Sequence, residues 1–219
     1  MIDEASTIFV VDDDEAVLKG LDRLLRTAGF GTELFASAHS FLDAYPQHDA
    51  TGCIILDLAM PGLGGLQVQE RLLEAAATLP IIFLTGHGDI HSGVQAMKLG
   101  ASDFLTKPVD DEVLLNAVRQ AIRRCTHLRR ARRETADIDQ RLATLTPREH
   151  EVLRHLLSGK LNKQIAASLG TVEKTIKVHR ARVLRKMQAP TLAVLVRLAE
   201  RAGIAAEVSR PSQSRDPPP

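Results

Sequence analysis

Three carboxylates, a hydroxyl and an amine recur along the first half of this chain in one pattern: each stands where an apolar run stops. FVVDDD puts Asp12 and Asp13 after residues 9–11, CIILD puts Asp57 after residues 53–56, IIFLT puts Thr85 after residues 81–84, and DFLTK puts Lys107 just beyond another such run. Like charges gathered on one edge are costly unless a hard cation sits among them, and Mg²⁺ with oxygen ligands fits such a cluster. A hydroxyl and an ammonium placed opposite could then bind the oxygens of a phosphoryl group. Asp12 and Asp13 are accordingly assigned to the metal. Asp14 and Glu15 go to the start of the following helix, where negative charge is favourable.

That chemistry requires elements which carry scattered residues to one edge. Short apolar runs at residues 7–11, 31–35, 53–56, 81–84 and 103–105 alternate with stretches of helical period at about 16–28, 41–45, 66–76 and 94–99, and a further one starting near Asp110. Five strand-plus-helix units in succession imply an α/β fold, a doubly wound parallel sheet covered by helices on both faces. CIIL and IIFL, apolar at every position, suit strands buried on both sides. In such sheets ligands collect at the carboxyl ends of the strands, where the polar residues above fall. From Thr146 onward the pattern is purely helical, broken at Gly159, Gly170, Pro190 and Gly203. Thr146-Pro147-Arg148-Glu149 has a capping Thr, Pro at the first helical position and Glu three residues after the cap, the features of a helix start.

The 219 residues suit two domains. The net charge of +1 conceals an asymmetry: residues 1–123 hold 8 Lys+Arg against 18 Asp+Glu, and residues 145–205 hold 12 against 4. The acidic half is a candidate for a cation or a basic partner, the basic half for phosphate backbones. No Trp, one Tyr and six Phe leave little for stacking bases, which favours duplex DNA over a single strand. Cys53 lies in an apolar run and Cys125 among arginines, suggesting neither a disulfide framework nor a metal site. No apolar stretch approaches the roughly 18 residues that span a bilayer, and the acidic start is unlike a secretory signal. A cytoplasmic protein without a membrane partner is expected.

FVVDDDEA, ILDLAMPGLGG, FLTGHGD and ASDFLTKP together resemble the four signature regions of two-component receiver domains. The resemblance implies a flavodoxin-like domain in which Asp57 accepts a phosphoryl group from a sensor histidine kinase. Asp12, Asp13, Asp57 and the carbonyl of Ala59 would arrange Mg²⁺, and Thr85 and Lys107 would contact the phosphoryl oxygens. Thr85 and Phe104 would form the switch that turns on activation, and Lys107-Pro108 would be the family's cis peptide. The haloacid dehalogenase-like phosphatases are a rival class, but they carry a general-acid Asp two residues after the nucleophile, where this chain has Ala59. Ala59 also departs from many receivers, which have a longer polar side chain there.

In the basic half, NKQIAASLG at residues 162–170 reads as a short helix closed by Gly, followed by a longer helix at about 172–187. Ile165, Ala166, Leu169, Ile176, Val183 and Met187 bury one face of each, as a helix-turn-helix requires. On the second helix positions 172, 176, 179, 183 and 187 should face inward, leaving Lys174, Lys177, Val178, Ala181 and Arg185 outward. Cations beside methyl groups suit a helix in the major groove. TPREHEVLRHLLSGKLNKQIAASLG with TIKVHRARVLRKM resembles the four-helix LuxR-type DNA-binding domain of the NarL/FixJ subfamily. The resemblance implies that Lys177 and Val178 reach base edges and that Lys163, Thr175, His179 and Arg182 lie near phosphates, while Lys174 is assigned to DNA by its place on the outward basic stripe; His179 could equally be a buried histidine. A polar cap is expected where Val172 sits and an apolar residue where Thr171 sits, so an earlier helix start capped by Thr171 stays open.

Between the two halves, Leu128, Ala131, Thr135, Ile138, Leu142 and Leu145 follow the alternating 3 and 4 spacing of a coiled-coil seam, with no Gly or Pro over residues 109–146. One long helix is expected, with a seam that could pair in a dimer. The division is a receiver at 1–123, a helical linker at 124–144, an output domain at 145–204 and a disordered tail at 205–219. The functional expectation is a non-enzymatic transcription regulator, phosphorylated on Asp57, that forms a homodimer on phosphorylation and binds double-stranded promoter DNA. A sensor histidine kinase is its phosphodonor and RNA polymerase a candidate partner.

Overall fold

The computed structural model describes residues 6–45, 51–86 and 90–204; the expected disordered tail lies outside the described residues. The elements run β1 (Ser6–Val11), α1 (Glu15–Thr27), β2 (Gly31–Phe35), α2 (Ala38–Ala44), β3 (Thr51–Leu56), α3 (Gly65–Glu74), β4 (Ile81–Thr85), α4 (Ile90–Lys98), β5 (Asp103–Thr106), α5 (Asp111–Ala143), α6 (Pro147–Leu157), α7 (Asn162–Ser168), α8 (Glu173–Lys186) and α9 (Leu192–Arg201). They form two compact units that meet in sequence between Arg130 and Ala131.

In the first unit every strand sends alternate side chains to opposite faces of the sheet. Ile8 and Val10, Cys53 and Ile55, and Ile82 and Leu84 enter a core closed by Leu18, Leu21 and Leu25 of α1 and by Leu114, Val118 and Ile122 of α5. Phe9 and Val11, Ile54 and Leu56, and Ile81 and Phe83 enter a second core with Phe41 of α2, Val68 and Leu72 of α3, and Ala96 of α4. Helices on both faces explain the unbroken apolar runs. The sheet is parallel throughout, in the order β2-β1-β3-β4-β5, which is the doubly wound, flavodoxin-like arrangement.

The register positions the site. Val11 pairs with Leu56, so Asp12 and Asp57 leave adjacent strands side by side. Thr85 pairs with Thr106, so Lys107 emerges next to the end of β4. Two helices begin earlier than their apolar periodicity suggests. Helix α2 starts at Ala38 because Ser37 caps it, its Oγ accepting from the Ser40 amide at 3.2 Å, and α4 is already helical at Ile90.

Helix α5 is a single 33-residue α-helix. The Asp110 carboxylate starts it by accepting from the amides of Glu112 and Val113. In the second unit the end of α5 joins the core: Ile138 and Leu145 are buried and Leu142 packs beside them, against Val152, Leu153, Leu156, Ile165, Ile176, Val183, Met187 and Leu195. The last three positions of the apparent seam are therefore covered within the chain itself. This corrects their reading as a pairing surface.

Helix α6 begins with the expected capping box, Thr146 Oγ1 accepting from the Glu149 amide at 3.3 Å and Glu149 Oε2 from the Thr146 amide at 2.9 Å. The turn between α7 and α8 passes through Gly170 at φ 61°, a left-handed conformation that glycine adopts without strain.

Candidate functional site

At the carboxyl end of the sheet, one carboxylate oxygen from each of Asp12, Asp13 and Asp57 lies within 4.8 Å of the others. Asp12 and Asp57 are buried and Asp13 is exposed, so the cluster has two inner walls and one face toward solvent. Each inner carboxylate is held by the chain. Asp12 Oδ1 accepts from the Asp14 amide at 3.0 Å, and its Oδ2 takes Lys107 Nζ at 2.5 Å. The amides of Leu58 and Ala59 bond to the Asp57 carboxylate. The Lys107 amide donates to the Thr85 carbonyl at 2.8 Å, which fixes the lysine's backbone to the strand carrying Thr85. The Lys107-Pro108 peptide is cis, as the sequence suggested.

Asp57 Oδ1 is buried without a hydrogen-bond partner, and Lys107 Nζ, at 3.6 Å, is beyond hydrogen-bond length. Burial pushes the Asp57 carboxyl above the ordinary carboxylate range, the Asp12 charge adds to this, and Lys107 opposes it. An unsatisfied buried oxygen beside two further carboxylates fits a hard divalent cation with oxygen ligands, so Asp12, Asp13 and Asp57 are the residues suited to hold Mg²⁺.

Thr85 is fully buried at the end of β4. Phe104 is half-buried, its ring centroid 6.1 Å from that of Phe83, and it faces Gly93 of α4 across a gap that a Cβ at that position would narrow to 3.5 Å. Ile90, Val94 and Met97 of α4 line an open apolar face beside it. Ala59 lies exposed in the loop after Asp57. Gly65 is a positioning residue that the acid-and-amine reading did not single out: a Cβ there would come within 2.4 Å of the Asp57 carbonyl oxygen, so α3 approaches the Asp57 loop only because residue 65 is glycine. Its signal was the Gly-Gly closing ILDLAMPGLGG.

On the second unit, Lys163 near the start of α7 and Lys174, Lys177, Val178, Ala181, Arg182 and Arg185 on α8 are all exposed, while Ile176, Val183 and Met187 are buried. Lys177 Nζ lies 3.4 Å from Glu173 on the surface. Thr175 is half-buried, as is His179, whose Nδ1 is enclosed without a hydrogen-bond partner.

Val172 differs from its expected inward position. It stands outside the helix as the N-cap, in extended conformation and 64% exposed, and no side chain caps α8 there. Thr171 does not take over the cap. Its amide donates to the Ala166 carbonyl at 3.0 Å and closes the turn, so α8 begins at Glu173.

The orientation of α8 depends on residues that periodicity did not reveal. Lys186 Nζ, in its last turn, lies 2.6 Å from Glu149 Oε2 and 2.8 Å from the Thr144 carbonyl. The Lys186 hydrogen bond, with that of the Thr146 amide, holds the Glu149 carboxyl down at about 2. Arg148 donates to the Leu169 carbonyl at 2.7 Å and so ties α6 to the end of α7.

Both halves have known counterparts. The family described as "Response regulator receiver domain" matches residues 8–119, and that described as "Bacterial regulatory proteins, luxR family" matches residues 143–199. The chain is 44% identical over 201 residues to the response regulator protein TodT of Pseudomonas putida, covering 92% of this chain and 88% of that protein. It is 45% identical over 197 residues to the transcriptional regulatory protein FixJ of Bradyrhizobium diazoefficiens, covering 90% of this chain and 96% of that one. The solved structure of the response regulator StyR superposes with a TM-score of 0.83 at 43% identity, covering 90% of this chain and 99% of that one. With an acidic cluster at the head of a five-stranded parallel sheet in one unit, a helix-turn-helix in the other and relatives matched over most of its length, this chain belongs to the two-component response regulators of the NarL/FixJ family, with a receiver domain and a LuxR-type DNA-binding domain.

Proposed function

We propose that this protein is a cytoplasmic transcription regulator switched by phosphorylation of Asp57. Residues 1–123 act as the receiver, 124–144 as the linker and 145–204 as the output domain. The observation that carries the reading is the buried, unbonded Oδ1 of Asp57, set among the Asp12 and Asp13 carboxylates with Lys107 Nζ 3.6 Å away. An Asp57 oxygen attacks the phosphorus of a phosphohistidine on a sensor kinase. The N–P bond breaks, its electron pair returns to the imidazole nitrogen, which takes up a proton, and an acyl phosphate forms on Asp57. Mg²⁺, when bound by Asp12, Asp13, Asp57 and the Ala59 carbonyl, supplies charge neutralisation as the anionic donor approaches. Lys107 can leave Asp12 for a phosphoryl oxygen, and Thr85, at the neighbouring strand end, supplies a hydroxyl. Phe104, half-buried against Phe83 and α4, is the side chain placed to follow that change.

The phosphorylated form dimerises and binds promoter DNA. The exposed apolar residues of α4, Ile90 at 87%, Val94 at 47% and Met97 at 47%, support a protein partner on that face. On α8, Lys177 and Val178 face base edges with Lys174 beside them, and Thr175, His179 and Arg182, with Lys163 of α7, lie toward phosphates. RNA polymerase is the natural further partner of a promoter-bound regulator. The protein is incubated with Mg²⁺ and a small phosphodonor, and its mass is measured. One phosphoryl group should be added to the native chain and none to Asp57→Asn; modification of the variant to the same extent would refute Asp57 as the acceptor.

A further inference from the structure

We propose that Val172 reads a thymine methyl group in the operator, a specificity contact additional to those of Lys177 and Val178; it rests on the reading of α8 as the helix that enters DNA. Among the described residues from 131 to 204, three large apolar side chains are exposed, Leu161 at 70%, Val172 at 64% and Val178 at 46%, and all belong to the helix-turn-helix. The rest of the unit buries its apolar residues in one core, so this exposure is confined to the segment that docks on the duplex.

Val172 occupies the N-cap of α8 without capping it. Valine is among the poorest residues for that position, and Ser, Thr, Asp or Asn would satisfy an amide of the first turn. The chain thus gives up a cap and leaves an apolar side chain in water at the end of the helix whose first residues contact base edges in a helix-turn-helix complex. Apolar side chains distinguish thymine in the major groove by contact with its C5 methyl group, and two γ-methyls on a rigid β-branched residue provide that contact. The surroundings favour close approach: Lys174 and Lys177 are exposed on the same helix, and the first core contact of α8, Ile176, holds the helix start in place.

The test uses the full-length, phosphorylated chain. Preferred sequences are selected from a random duplex pool, and each thymine in the selected site is then replaced by uracil, which keeps the base pair and removes only the methyl group. One thymine in each half-site should weaken native binding about three- to five-fold on replacement, the effect of one buried methyl group. In Val172→Ser that penalty should vanish while a penalty due to Val178 persists. The serine restores a side-chain cap, so thermal melting should show the variant at least as stable as the native chain. If Val172→Ser keeps every uracil penalty, or Val178→Ala abolishes all of them, the proposal is wrong although DNA binding stands. If no sequence is enriched at all, the DNA reading falls and this inference with it.

Discussion

Lys107 Nζ lies 2.5 Å from Asp12 Oδ2 but 3.6 Å from Asp57 Oδ1, so the amine of this site is bonded to Asp12 and leaves Asp57 Oδ1 without a hydrogen-bond partner. Its charge partly offsets the repulsion of three clustered aspartates. Lys107→Met should lower stability by about 1–3 kcal/mol in EDTA, less than the about 3–5 kcal/mol of a fully enclosed broken pair because Asp13 faces solvent. Mg²⁺ should recover most of that loss, since a ligand that binds the folded state alone stabilises it. Urea denaturation of both proteins with EDTA and with Mg²⁺ measures this. Equal destabilisation in the two conditions would show that the lysine and the cation do not share a site.

The pair formed by Glu149 and Lys186 makes a pH prediction. The Glu149 carboxyl, 2% exposed, is held at about 2, against 4.5 for an ordinary glutamate. Its ionised form therefore stabilises the fold fully above pH 4.5, and that contribution is lost as pH falls from 4.5 through about 2. Glu149→Gln should cost about 1–3 kcal/mol at pH 7 and flatten the acid side of the stability curve of the second unit. Denaturant melts between pH 2 and 7 compare the slopes; parallel curves would rule out Glu149 as the responsible group.

Ile138 is 2% exposed in the core of the second unit. Ile138→Ala should destabilise that unit by about 2–4 kcal/mol and weaken DNA binding while Asp57 is phosphorylated at the native rate. Differential scanning calorimetry combined with a phosphorylation time course checks both. A variant that melts normally yet fails to dimerise would restore the coiled-coil reading.

Ile138 also marks where the sequence stops being legible. A 3 and 4 spacing states that a helix has an apolar face; it does not state what covers that face, and here α6, α7, α8 and α9 do. Asp12, Asp57, Thr85 and Lys107 were legible because each ends an apolar run, and a parallel sheet brings strand ends together without any knowledge of its side-chain packing. Half of the Glu149 arrangement was equally plain, since a capping box is local. Its partner Lys186 lies 37 residues away and carries no local signal. Val172 misled for a related reason. The apolar spacing of α8 continues one residue beyond the helix, to an N-cap whose side chain does not follow the 3.6-residue turn.

The apolar face of α4 should serve the phosphorylated dimer. Val94→Asp places a charge beside Ile90 and Met97 on a surface that is already solvent-exposed, so it should leave stability within about 0.5 kcal/mol. It should reduce dimerisation of the phosphorylated form at least ten-fold in analytical ultracentrifugation, with Asp57 still fully modified. Native dimerisation by the variant would move the interface elsewhere.

Lys177 and Lys163 separate the two kinds of DNA contact. Both are exposed, but Lys177 is on the outward face of α8 whereas Lys163 sits near the start of α7, the helix that crosses the backbone in this motif. A base-edge contact carries sequence information, so Lys177→Ala should cost about 1–3 kcal/mol on the preferred site, little on random DNA, and relax selection at one position. The surface contact of Lys177 with Glu173 at 3.4 Å does not alter this, because an exposed pair contributes about 1 kcal/mol at most to the free protein. A phosphate contact acts through released counterions, so Lys163→Ala should weaken every sequence alike and reduce the slope of log K against log salt by about 1. Binding isotherms on selected and random duplexes at several salt concentrations resolve the two. If both variants lose selectivity, or both lose only salt dependence, the assignment of α8 to the groove and α7 to the backbone is wrong.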